Sequence, residues 1–108
     1  APHAQESFRL AVQAGVPIAF GTDAGVFPHG QNAGEFALMV QAGMPPAFTL
    51  QSATRNAALL LDRWNDLGSI TEGKIADIVA VRGNPVDDVS LMQDVRFVMK
   101  DGVVFKRP

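Results

Sequence analysis

Val16-Pro17-Ile18-Ala19-Phe20 is an unbroken apolar run with a glycine on each side, Gly15 before it and Gly21 after it. A short apolar run bounded by turn residues fits a strand buried on both faces, the kind found in parallel sheets. Such a strand needs covering helices, and the neighbouring sequence supplies them. Pro2 is placed to start a helix, and Ala4, Phe8, Ala11 and Val12 recur at helical spacing as far as Gly15. Gly15 reads as the residue that ends that helix in the left-handed conformation. After the apolar run, Gly21, Asp23, Gly25, Pro28, His29 and Gly30 mark a loop. Asn32, with Glu35 three residues on, fits a capping box for a helix carrying Phe36, Leu38, Met39 and Val40. Pro45-Pro46 stops this helix and opens another from Ala47 to about Leu61, with Phe48, Leu50, Ala53, Ala57, Leu60 and Leu61 as its core stripe.

The character changes at Leu67. Short β-like runs follow at 68–70, 76–81, 95–100 and 103–106, and Asp101-Gly102 is a strong two-residue hairpin signal between the last two. Lys74 and Asp77 flank a turn-to-strand junction and are expected to form a surface pair. The order predicts α/β layering followed by a small antiparallel unit.

Composition sets the outer limits. A chain of 108 residues, 47% hydrophobic and 19% charged, fits one soluble globular domain and not a disordered segment. It is far too short for a complete (β/α)8 barrel of ~250 residues. The net charge of −2, with scattered basic residues, gives no electrostatic case for nucleic acid. Without cysteine there is no disulfide, thiol nucleophile or thiolate metal site. No apolar run approaches the ~18 residues of a membrane span and no signal segment opens the chain, so a cytoplasmic location is expected. The opening Ala1-Pro2-His3-Ala4 lacks an initiator Met, and the chain reads as a piece of something longer.

The chemistry concentrates in Ile18-Ala19-Phe20-Gly21-Thr22-Asp23-Ala24-Gly25, where a buried strand runs into a carboxylate and a glycine-rich loop. Ligands and catalytic groups gather at the C-terminal ends of strands in parallel α/β sheets. A carboxylate there can bind a hard cation or accept a proton. From spacing alone, turn or helix capping is the stronger reading of Asp23. His29, farther along the same loop, reads either as a substrate contact or as a loop histidine satisfied by nearby backbone. Thr22 reads as hydrogen-bonding support and Gly25 as the residue that permits the turn. His3 is expected to be a surface or capping residue.

Gly21-Thr22-Asp23-Ala24-Gly25, His29-Gly30-x-Asn32-x-x-Glu35, Ala53-Thr54-x-Asn56-Ala57-Ala58 and Leu67-Gly68-Ser69-Ile70-x-x-Gly73-Lys74-x-Ala76-Asp77-Ile78 stand in unbroken order. Together they resemble the metal-dependent amidohydrolase superfamily, most closely its imidazolonepropionase-related and prolidase-like branch. The resemblance implies the C-terminal portion of a (β/α)8 barrel over residues 1–61, supplying the last strand and helices. Residues 62–108 would form part of a small β-sandwich completed by strands from the N-terminal part of the enzyme. It also implies a zinc-type divalent centre and cleavage of an amide or peptide C–N bond in a dipeptide-like or cyclic amide, by metal-activated hydroxide. Asp23 matches the family's metal-binding and proton-shuttling aspartate. The remaining ligands cannot be placed on this chain, and a lone carboxylate does not hold catalytic zinc. Two expectations follow: part of an enzyme that needs the missing N-terminal barrel portion, or a catalytically inactive folding and assembly module. The apolar strand, left with open edges, also predicts a homo-oligomer.

Overall fold

The structure, a computed structural model, describes residues 2–22 and 30–108; Asp23, Gly25 and His29 lie outside them. Helix α1 covers Pro2–Gln13, α2 Gly34–Gln41, α3 Pro46–Ser52 and α4 Arg55–Leu60. Strands β1 (Ile78–Val81), β2 (Val95–Lys100) and β3 (Val103–Lys106) follow, with a 3-10 turn over Val89–Gln93 between β1 and β2. The chain is thus a small α/β unit whose sheet is antiparallel in the order β1-β2-β3.

Helix α1 ends as its sequence predicts. Gly15 is left-handed at φ 75°, and the N–H groups of Gly15 and Val16 donate back to the carbonyls of Val12 and Ala11, each at 3.1 Å. This pairing closes the last turn of the helix. Helix α4 ends in the same way, but there Asp62 takes the left-handed position at φ 57°.

Several expectations change. Residues 16–20 belong to no strand among the described residues. A strand requires a neighbour to share its hydrogen bonds, and here the segment bonds to helices instead: Phe20 N–H donates to the Ser52 carbonyl at 2.9 Å. Residues 68–70 form no strand: 67–69 make a bend, and Ile70 after it is exposed. Asn32 does not cap α2; the residue before that helix is Ala33, with no side-chain cap. The helix expected from Ala47 to Leu61 is broken at Ala53-Thr54. Thr54 has φ −124° and ψ −87°, and its hydroxyl donates to the Leu50 carbonyl at 2.9 Å. A threonine bonding to the backbone four residues back competes with regular helix continuation.

That break rearranges the core. Phe48, Leu60 and Leu61 are exposed, whereas Thr49, Ser52 and Ala58 are buried. Both buried hydroxyls are satisfied within α3: Thr49 donates to the Pro46 carbonyl and Ser52 to the Thr49 carbonyl. Their burial therefore leaves no orphaned donor. The apolar core gathers Phe36 and Met39 of α2 with Met44, Ala58 and Val89. Helix α2 packs against the 3-10 turn, joining the helices to the sheet-bearing part of the chain.

The hairpin is as predicted. Asp101 and Gly102 have φ 49° and 78°, the two positive values that a type I′ turn requires. Lys74 and Asp77 do not pair. Lys74 Nζ lies 3.5 Å from the centroid of the Trp64 ring and donates to the Leu67 carbonyl, while Asp77 pairs with Lys100.

Candidate functional site

The segment leading to Asp23 is fixed by side chains of Asn56, Phe36 and Asn32 and by the backbone carbonyl of Ser52. Asn56 of α4 donates from Nδ2 to the Ile18 carbonyl at 3.0 Å. Phe20 is held through its N–H by Ser52, and its ring lies against Phe36 with centroids 4.7 Å apart. Thr22 Oγ1 accepts from Asn32 Nδ2 at 3.0 Å, and Asn32 Oδ1 accepts from the Gly30 N–H at 3.2 Å. Thr22 therefore has Asn32 as its hydrogen-bond partner. Sequence reading missed this role because an asparagine just before a helix, followed by Glu35, has the signature of a cap.

The other residues singled out from the sequence are placed differently. Asp23, Gly25 and His29 fall outside the described residues. His3 is exposed on α1. Glu35 sits in the first turn of α2, where a carboxylate meets the positive end of the helix dipole.

No group of three or more His, Cys, Asp or Glu among the described residues could hold a metal ion. The described residues alone do not fit a metal centre. Their perturbed carboxylates serve structure. The Arg63 guanidinium holds Asp66 below the usual carboxylate range, and Arg96 does the same to Asp94. The backbone N–H of Asp101 is the main cause of the low value at Asp77, with Lys100 adding to it. Two open grooves flank α4. One, of about 370 Å³, includes Ala57, Leu61, Ile75 and Val79 in its walls. The other, of about 470 Å³, is walled by Ile18, Ala19, Arg55, Leu59 and Leu60. Among the described residues, no helix is long and apolar enough to cross a membrane.

This arrangement recurs in known proteins. A crystal structure of a Xaa-Pro dipeptidase with methionine bound in its active site superposes with a TM-score of 0.94 at 50% identity, covering 97% of this chain and 26% of that one. Molinate hydrolase superposes with a TM-score of 0.84 at 28% identity, covering 93% of this chain and 26% of its own. The ochratoxinase of Aspergillus niger is 37% identical over 108 residues, covering 95% of this chain and 22% of its own length. The chain thus spans about a quarter of the length of these relatives. The sequence profile of the amidohydrolase family matches residues 2–105, which takes in both the helices and the sheet. By that match, the chain belongs to the amidohydrolase family.

Proposed function

We propose that this chain is the C-terminal portion of a larger metal-dependent amidohydrolase of the prolidase-like branch. Residues 1–61 contribute the last strand and helices of a (β/α)8 barrel, and residues 62–108 part of a small β-sandwich. The enzyme cleaves an amide C–N bond in a dipeptide-like or cyclic amide substrate. The observation that carries this reading is the 0.94 TM-score at 50% identity to a protein described as a Xaa-Pro dipeptidase.

A divalent metal, zinc by family resemblance, supplies Lewis-acid polarisation when bound. Asp23 offers one carboxylate to it, and the other ligands come from the rest of the enzyme. The same carboxylate accepts a proton from the attacking water and returns it to the leaving nitrogen. His29 contacts substrate, Thr22 supports the site through its hydroxyl, and Gly25 supplies the turn. The enzyme works in the cytoplasm as a homo-oligomer.

The test is Asp23→Asn in the complete enzyme. An amide cannot take up the proton, so kcat should fall ~10²–10⁴-fold with the fold intact. Near-wild-type turnover would remove Asp23 from the reaction.

A second reading, an inactive folding or assembly module, draws on the exposed apolar side chains Leu60 at 75%, Leu61 at 66% and Ile70 at 83%. Apolar surface of this kind marks a face that another body covers. Metal analysis of the purified protein separates the two readings. Stoichiometric zinc with amide hydrolysis supports the enzyme, and a metal-free inactive assembly supports the module.

A further inference from the structure

Asp101 is the one aspartate in the chain that is followed by glycine. An Asp-Gly bond is chemically labile, because glycine has no Cβ to obstruct ring closure between its nitrogen and the preceding side-chain carboxyl. Asp101 and Gly102 are both exposed, and open space surrounds the position that a Cβ of Gly102 would take. Packing therefore does not prevent that closure, which leaves the hydrogen bonds of the turn to do so. We propose that Asp101 is a site of spontaneous aspartyl isomerisation, restrained by the hydrogen bonds that Asp77 and Ala76 make to the tip of the hairpin.

Asp101 has φ 49°. In left-handed backbone ψ is about +47°, which sets the following nitrogen nearly opposite Cβ across the Cα–C bond. Ring closure requires the reverse, with the Gly102 nitrogen turned toward the side-chain Cγ, so the peptide plane between the two residues must first rotate. That plane is pinned where the Gly102 N–H donates to the Ala76 carbonyl at 3.0 Å. The plane before Asp101 is pinned as well, its N–H donating to Asp77 Oδ1 at 2.8 Å. Lys100 Nζ holds the other oxygen of that carboxylate at 3.3 Å. Once the plane is free, the Gly102 nitrogen gives up its proton and bonds to Cγ, and a carboxyl C–O bond breaks with loss of one water. The succinimide that results takes a water back at either carbonyl. Hydrolysis at Cγ restores aspartate. Hydrolysis at the main-chain carbonyl leaves the chain running through Cβ and Cγ, an isoaspartate, with no net change in atoms. The main chain is then longer by one carbon, and a two-residue type I′ turn no longer closes β2 onto β3.

The experiment incubates the full-length protein in mildly acidic buffer and follows isoaspartate by peptide mapping with electron-transfer fragmentation. Wild type, Asp77→Ala, Asp77→Asn and Lys100→Ala are compared, with wild type in urea as the unrestrained reference. Isoaspartate should form at Asp101 ahead of every other aspartate, and more slowly in the folded wild type than in urea. Asp77→Ala should accelerate it ~10-fold, the factor expected from losing one hydrogen bond to a charged group. Asp77→Asn keeps an oxygen acceptor for the Asp101 N–H without the charge, and its rate should fall between the two. Lys100→Ala leaves the Asp101 N–H bond in place and should accelerate the reaction less than Asp77→Ala does. An Asp77→Ala rate equal to the wild type overturns the proposal, and so, where that variant does not fold, does an equal rate in Asp77→Asn. A folded wild-type rate that matches the rate in urea overturns it too, as does isoaspartate that accumulates first at another aspartate.

Discussion

The carboxylate of Asp77 accepts a 2.8 Å hydrogen bond from the backbone N–H of Asp101, at the tip of the hairpin. Its other oxygen meets Lys100 Nζ at 3.3 Å, and the Gly102 N–H donates to the Ala76 carbonyl at 3.0 Å. The residues leading into β1 therefore clasp the turn between β2 and β3. The Asp101 N–H, with Lys100 adding to it, depresses the Asp77 pKa against an opposing desolvation. A carboxylate depressed in the folded state contributes stability above its ordinary unfolded value of about 3.9 and loses it as pH falls through the lower folded value. Asp77→Asn should thus melt below the wild type at neutral pH, with the gap closing as pH falls below the usual carboxylate range. Thermal unfolding at stepped pH checks this, and a gap that is constant with pH would assign the clasp to shape and not to charge.

Gly68 marks a tighter constraint. A Cβ at this position would stand 2.7 Å from the Ala58 Cβ, 3.0 Å from the Thr54 carbonyl oxygen and 3.1 Å from Trp64 Cε3, on a backbone at φ 96°. The Thr54 carbonyl stands at the residue before α4 and Ala58 within that helix, so neither can swing aside as a long side chain could. Gly68→Ala should therefore cost more than about 2 kcal/mol, through backbone strain and overpacking together. Urea unfolding measures it, and a cost within the error of the method would mean that the loop has room to move.

The hairpin separates turn chemistry from the chemistry of the site. Replacing Gly102, at φ 78°, with valine should cost more than about 1 kcal/mol, because a β-branched side chain disfavours that region. Gly102→Asn should be much milder, since asparagine visits left-handed conformations readily. Open space surrounds the position, so the difference reads backbone preference and not a clash. Equal small shifts in the unfolding midpoints of both variants would indicate a frayed turn.

Features set by local chemistry were legible in the sequence. Gly15 ends α1, Pro45-Pro46 separates α2 from α3, and Asp101-Gly102 turns β2 into β3. Each depends on backbone preferences that a residue carries with it. Features set by competition between local and distant partners were not legible. Asn32 had the spacing of a cap, but Thr22 and Gly30 took its amide. The stripe through Phe48, Leu60 and Leu61 assumed one continuous helix, and the break at Thr54 turned Thr49, Ser52 and Ala58 inward instead. The run at 16–20 carried the composition of a strand, but composition cannot supply the neighbour that a ladder requires. At the candidate site, the pairing of Thr22 with Asn32 was not legible.

Trp64 lies between Arg55 at the start of α4, 5.8 Å from its ring centroid, and Lys74 on the approach to β1, 3.5 Å away. It is the single tryptophan of a chain that has no tyrosine. Its indole is consequently an intrinsic optical reporter of the seam between the helices and the sheet. Excited alone, it follows the opening of that seam by shift and intensity while far-ultraviolet dichroism follows the helices. Whether the two traces coincide reveals whether the helical part and the sheet-bearing part of this chain melt as one cooperative body or in sequence.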